Sequence, residues 1–326
     1  MRWLVWGAGS IGKRHLRNLL ARGEQDVVAL RRRAERLDAE LAAVPVHTTL
    51  ADAKGEGAAA VVICTPTASH VADAIAAVGA GCDVLIEKPL GDTLDEVERL
   101  REAAARGRRI VGVAHCFRFH PTLLRVRDEL TSGTLGKALG ASVWCGQHLA
   151  DWHPGEDHTS SYSARRDLGG GVLLDLSHET DYLQWLFGPA ESVSAMVRNS
   201  GTLGIETEDV ADLVVRLAGG VVASCHLDYL ARPAVRGGWA VFERGALRWD
   251  LRRRVAERSD GDGWTPLAAR AGDTQDDMYM SELAAFAHSV STRSPFAVGL
   301  DEAGRAVRLA IAAKEASRQR REVHLR

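Results

Sequence analysis

The short apolar run Arg2-Trp3-Leu4-Val5-Trp6 breaks directly into Gly7-Ala8-Gly9-Ser10-Ile11-Gly12, and the residues that follow to Arg22 set Ile11, Leu16, Leu19 and Leu20 at helical spacing. Strand, tight glycine turn and helix in immediate succession leave few folds open to the chain. In such a turn Gly7 permits the reversal, Gly9 lets a phosphate approach the backbone, and Gly12 allows the helix to pack closely. The helix start offers backbone N–H groups and the positive end of its dipole to an anion. Because the motif alone also marks plain turns, its context decides. That context is a sustained alternation. It runs through a strand over Val27–Leu30, an Ala/Leu/Glu helix over residues 34–43, a strand over Ala59–Cys64 broken by Thr65-Pro66, and a helix over Ser69–Val78. A strand over Asp83–Ile86, a helix over Leu94–Arg106 and a strand over Arg109–Ala114 complete it. Alternation of this kind builds a parallel sheet with right-handed crossovers, so Gly7, Gly9, Ser10, Ile11 and Gly12 are expected to hold the pyrophosphate of a dinucleotide.

The end of the second strand chooses between dinucleotides. An acidic residue there would hold the adenosine ribose hydroxyls, and a basic one a 2'-phosphate. The chain has Arg31-Arg32-Arg33, so NADP is expected over NAD, the rival reading being a solvated cationic stretch. Val84-Leu85-Ile86 runs into Glu87-Lys88-Pro89, which puts Lys88 at the carboxyl end of a parallel strand, where ligands of open α/β sheets sit. Its ammonium is placed to hydrogen-bond a substrate oxygen and to stabilise developing alkoxide.

At 326 residues the chain exceeds the usual size of one core. The pattern changes after Phe119-His120-Pro121, giving expected domains over 1–119 and 120–326. The second opens with a helix to about Leu130 and has another over Val172–Phe187. Strand-like runs follow at Ala190–Val197, Val210–Leu217, Val221–Leu227, Trp239–Phe242 and Ala246–Leu251. Helices over Met278–Val290 and Glu302–Ser317, the latter able to pack back on the first domain, and an edge strand over Glu322–Leu325 close the chain. This predicts an α+β domain with a largely antiparallel, open sheet.

Gly169-Gly170-Gly171 leads into the Val172 helix, on which Asp175, His178 and Asp181 recur every third position and so project from one side. A neutral imidazole there can take a hydroxyl proton, with the carboxylate orienting it. A buried histidine satisfied by a carboxylate is the plainer reading of the same pattern. The polar loop from Trp144 to Arg166 supplies Tyr162, Arg165 and Arg166, whose guanidiniums suit a phosphate, carboxylate or nucleotide diphosphate. Asp151, His153, Asp157 and His158 in that loop are read as solvent or sugar ligands, and no metal is expected.

With these segments in view, the chain resembles the Gfo/Idh/MocA family, the glucose-fructose oxidoreductase and inositol dehydrogenase group. The likeness is carried by Gly7–Gly12, Cys64-Thr65-Pro66-Thr67-Ala68-Ser69-His70, Glu87-Lys88-Pro89, Arg118-Phe119-His120-Pro121, the Gly169–Asp181 segment and the closing helix with Ala312–Ser317. The resemblance implies an α/β architecture in which a Rossmann domain precedes the α+β domain. It also implies hydride exchange with a secondary alcohol or ketone of a sugar, nucleotide sugar or cyclitol. By position it assigns Lys88, Asp175 and His178 to catalysis, and Thr65, Pro66, His70 and Glu87, with Lys88, to the cofactor. Lys88, Arg118, Tyr162, Arg165, Arg166, Asp175 and His178 fall to the substrate. The spacing departs from the family's common one: His178 follows Asp175 by three, in a Ser-His-Glu variant.

Reduction of a non-carbohydrate carbonyl or unsaturated ring is the nearer rival reading, and a non-catalytic NADP-sensing regulator the further one. A formal net charge of -2 predicts no attraction to nucleic acid or an anionic membrane. Reading from Met1, one basic residue leads straight into the first strand without a signal-peptide pattern, and no apolar run is long enough for a bilayer. With five widely spaced cysteines, this predicts a cytoplasmic protein. The open sheet of the second domain predicts a homo-oligomer, a dimer or tetramer, in which that sheet is covered.

Overall fold

The computed structural model describes residues 1–33, 35–55, 59–152, 154–268 and 275–325. These residues form two compact units, Met1–Cys116 with Gln275–Gly304, and Phe117–Thr274 with Arg305–Arg326.

The first unit begins β1 (Arg2–Trp6), α1 (Ser10–Ala21), β2 (Val27–Leu30), β3 (Val46–His47), α2 (Leu50–Lys54), β4 (Ala59–Ile63), α3 (Thr67–Gly79), β5 (Asp83–Glu87), α4 (Leu94–Gly107) and β6 (Val111–Ala114). All neighbouring strands are parallel, in the order β3-β2-β1-β4-β5-β6. Val61, Val62, Ile63, Val84, Leu85 and Ile86 are fully buried, which is why these strands read as continuous apolar runs rather than alternating ones. The strand order reverses between β1 and β4. There Trp6 lies opposite Ile63, which lies opposite Ile86 across β5. The carboxyl ends of β1, β4 and β5 therefore stand side by side, at the switch point where open α/β sheets take ligands.

Of the helix expected over residues 34–43, only a single 3-10 turn at Ala39–Leu41 forms among the described residues. Only Leu37 and Leu41 of that stretch are buried there, too few to drive a helical stripe, while Glu35 and Asp38 are drawn to Arg31 and Lys13. Helix α2, absent from the sequence reading, had a signal in Thr49, whose side chain accepts from the Asp52 N–H.

The second unit contains α5 (Pro121–Thr131), β7 (Ala138–Gly146), α6 (Val172–Asp175), α7 (Ser177–Phe187), β8 (Ala190–Arg198), β9 (Val210–Leu217), β10 (Val222–Asp228), β11 (Val235–Phe242), β12 (Gly245–Asp250), β13 (Val255–Ser259) and β14 (Thr265–Pro266). Helix α8 (Gln275–Thr292) returns to the first unit, packing on α1. Helix α9 (Leu300–Gln319) is divided between the units, and β15 (Val323–His324) ends the chain. The second sheet runs β14-β13-β12-β11-β7-β10-β9-β8-β15 and is antiparallel except for the central β7–β10 pair. Helices α5, α6 and α7 pack on one face, so β9 alternates strictly between buried Leu213, Val215, Leu217 and outward Asp212, Val214, Arg216.

Two expectations fail here for identifiable reasons. Trp144–Gly146, assigned to a loop, belong to β7, whose buried Val143 and Cys145 alternate with the unlike Gly140, Ser142 and Trp144, so no clean polar row marks it. The helix expected over Val172–Phe187 is broken at Leu176, with φ −89 and ψ 33, so Asp175 and His178 lie on successive helices rather than one stripe. Apolar positions continue in phase through the break, which hides it from a periodicity argument.

Candidate active site

In the first unit the glycines act as backbone geometry requires. Gly7 has φ +98, and a Cβ on it would lie 2.5 Å from the Cys64 carbonyl oxygen. At Gly12 a Cβ would come within 1.9 Å of the Gly7 oxygen. By contrast nothing lies within 4 Å of a Cβ position at Gly9, so the protein leaves that approach open. Helix α1 starts at Ser10 with no side-chain cap from Gly9 and no acidic residue in its first turn. Its first N–H groups are therefore suited to an anion, and the cradle fits a dinucleotide pyrophosphate.

At the end of β2, Arg31 donates to the Glu35 carbonyl oxygen at 3.1 Å and stands 3.7 Å from its carboxylate, which Arg33 approaches at 3.7 Å from the other side. Glu35 thus balances two of the three arginines, while Arg32 is exposed.

Beyond β5, Glu87 and Lys88 form one assembly with α1. The buried Glu87 carboxylate meets the His15 Nε2 at 2.6 Å, and its other oxygen accepts the Lys88 N–H at 3.2 Å. Burial works against the charge of Glu87, but the His15 hydrogen bond and the charges of His15, Lys88 and His70 bring its carboxyl below the usual range. His70, on α3, sets Nδ1 2.8 Å from the Pro89 oxygen and Nε2 2.7 Å from the Thr65 oxygen. Thr65 donates to Asp73 at 2.7 Å, and Pro66 caps α3. His70 and Glu87 are both buried, His70 between the Thr65 and Pro89 carbonyl oxygens and Glu87 between His15 and the Lys88 N–H, so within the chain they brace the turns that carry Thr65 and Lys88.

In the second unit Asp175 is buried under three hydroxyls. Tyr162 donates to one carboxylate oxygen, and Ser163 and Tyr229 donate to the other at 2.7 and 3.0 Å. Burial, then the Asp175 charge, raises the Tyr229 phenol well above its ordinary value and keeps it a donor. Ser163 and Tyr229 escaped the sequence reading, since a lone tyrosine just past a strand carries no pattern. The His178 ring lies 4.5 Å from Phe117, which stacks on His120 at 5.5 Å and carries the Arg236 guanidinium 4.0 Å above it. Arg236 is held by a two-pronged pair with buried Glu179, at 2.6 and 2.8 Å, which gives the glutamate of Ser-His-Glu its place. Burial, aided by Arg236, Arg254 and Arg125, pulls His120 down to about 4, so it stays neutral near pH 7.

Arg118 makes a buried two-pronged pair with Asp181, at 2.9 and 2.7 Å, and this pair engages both its Nε and Nη2. The pair commits these two nitrogens within the chain, and it draws Asp181 out of the proposed stripe. Arg165 pairs with Asp167 at 3.0 and 2.6 Å, and Arg166 donates to the Glu206 oxygen at 3.1 Å, both at the surface. In the same loop Asp151 pairs with Arg232, Asp157 accepts from Thr159, and His158 reaches the Leu203 oxygen, while His153 lies outside the described residues. No cluster placed to hold a metal occurs among the described residues.

A reversed parallel sheet, a glycine cradle over a helix start and a lysine at the neighbouring strand end define a dinucleotide-binding oxidoreductase. Residues 1–115 match the family model described as "Oxidoreductase family, NAD-binding Rossmann fold", and residues 123–248 match the GFO/IDH/MocA C-terminal domain. An inositol 2-dehydrogenase of Acidothermus cellulolyticus is 30% identical over 306 residues, covering 87% of this chain and 83% of that protein. A 1,5-anhydro-D-fructose reductase of Ensifer adhaerens is 29% identical over 258 residues, covering 74% of this chain and 72% of its own. Among solved structures, a levoglucosan dehydrogenase in complex with NADH superimposes with a TM-score of 0.89 at 18% identity, over 100% of this chain and 99% of the other. The chain belongs to the Gfo/Idh/MocA family of oxidoreductases.

Proposed function

We propose that this protein is an NADP-preferring dehydrogenase or reductase acting on a secondary alcohol or ketone of a sugar, nucleotide sugar or cyclitol. The observation that carries the reading is Lys88 at the carboxyl end of β5, braced by Glu87 beside the open glycine cradle. Relatives that act on inositol and anhydrofructose support the substrate class. A bound nicotinamide dinucleotide supplies or accepts the hydride. In the oxidative direction Lys88 donates a hydrogen bond to the reacting oxygen, and the His178 imidazole takes the hydroxyl proton as the carbonyl forms. Phe117 supports the face of that imidazole. The Asp175 carboxylate accepts from three hydroxyls, and Tyr162, half-buried on it, offers substrate a phenol oxygen. Arg31, Arg32 and Arg33 favour NADP through the 2'-phosphate, and Arg165 and Arg166 suit an anionic substituent on the sugar.

We place the protein in the cytoplasm as a homo-oligomer that covers the outward face of its second sheet. Incubating the purified protein with a carbohydrate and cyclitol panel, while following reduced-cofactor absorbance, tests the function. Turnover on at least one polyol is expected, falling about a hundred- to a thousandfold in Lys88→Ala while the cofactor still binds. Undiminished turnover in that variant sinks the assigned chemistry.

A further inference from the structure

One polar link joins the helix that receives the dinucleotide to the residue assigned to chemistry. His15 lies one turn beyond Gly12 on α1, fully buried, with its Nε2 2.6 Å from Glu87. Its Nδ1 has no hydrogen-bond partner among the described residues, so the polar commitment of this ring is to Glu87 alone. The far oxygen of Glu87 in turn accepts the backbone N–H of Lys88. A buried imidazole–carboxylate contact gains little stability over apolar packing, but it fixes geometry closely, because any departure leaves a charge unsatisfied. The ring is itself held edge-on by Tyr279, 6.2 Å away, over which Arg14 lies at 4.9 Å. Arg14 and His15 thus leave the same turn of α1 towards the half-buried Tyr279.

We infer that His15 is a positioning residue that, through Glu87, sets where Lys88 leaves β5 and ties that position to the seating of a dinucleotide on α1. The inference rests on the reading of Lys88 given above. A phosphate drawing on the first N–H groups of α1 fixes the helix, the helix fixes His15, and the Glu87 carboxylate carries that constraint to the Lys88 backbone. Without the link, cofactor would still bind the glycine cradle, but Lys88 would no longer respond to it.

Trinitrobenzenesulfonate labelling of Lys88, read by peptide mass spectrometry with and without NADP, reports this directly. In the native protein NADP is expected to change the Lys88 labelling rate several-fold. That response is expected to vanish in His15→Leu and in Glu87→Met, and to return in His15→Gln, whose amide can still reach the carboxylate. Glu87→Met keeps the length of the side chain and removes both hydrogen bonds, so it serves if His15→Leu fails to fold. In both defective variants kcat on a polyol from the panel should drop about tenfold or more, the scale of a small misplacement, while the Kd for NADPH from cofactor fluorescence stays nearly constant. A Lys88 labelling response that is unchanged in both Glu87→Met and His15→Leu overturns the inference. Full turnover in Lys88→Ala instead overturns the underlying assignment of Lys88, and the labelling result separates the two failures.

Discussion

Gly12 and Arg32 show how differently single positions speak. The space at Gly12 is closed by the Gly7 carbonyl oxygen, a local backbone fact that the glycine spacing already announces. Arg32 is exposed, and its meaning depends on what surrounds it. Arg31 and Arg33 share Glu35, four and two positions away, so Arg32 carries the charge least balanced by that carboxylate. Arg32→Ala is accordingly expected to weaken NADP binding about tenfold, the loss of one charge-assisted contact, and to leave NAD nearly unchanged. Titrating NADPH and NADH fluorescence against the variant checks this, and equal losses for both cofactors would place Arg32 away from the 2'-phosphate. Glu35 itself was in plain view in the sequence, yet only the folded turn shows which arginines it serves.

Elements differ in legibility according to where their partners lie. The parallel strands of the first unit were readable because burial on both faces makes them apolar throughout. Strand β7 was not, since Gly140-Ala141-Ser142 at its centre lacks strand-forming residues and Trp144 interrupts the polar row. On β9 and β10 the outward row sets His226 between Asp212 at 2.7 Å and Asp228 at 3.1 Å. The Asp228 hydrogen bond leads in raising its pKa from 6.5 to about 9, against partial burial and with help from Asp212. A raised folded-state pKa stabilises fully below the unfolded value and is lost as pH climbs through the folded one. The stabilisation from His226 is therefore complete below about 6.5 and disappears through about 9. Calorimetry should find the Tm of the native protein falling more steeply across that window than the Tm of His226→Gln. Parallel curves would remove His226 from the account.

At the scale of the whole molecule, the second sheet leaves Met196, Val214, Val222 and Trp239 exposed at 76%, 54%, 45% and 44% on its outward face. Its edges are the two-residue strands β14 and β15, too short to template growth in the plane. Association is then expected through the face. Light scattering should give a dimer or tetramer, and Val214→Arg should lower that mass, whereas a monomer at every concentration would refute it. The primary sequence alone determined the strand–helix alternation, the glycine turn, the lysine at a strand end and the change of pattern after Pro121. Each is a local or periodic property, and the backbone enforces its own spacing. Tertiary structure decided the rest. It brought Tyr162, Ser163 and Tyr229 onto Asp175, broke the helix at Leu176, spent Arg118 on Asp181, and joined His15 to Glu87 across 72 residues. Such side-chain contacts between distant segments leave no period in the sequence, because they are selected by packing and by the cost of burying a polar group without a partner.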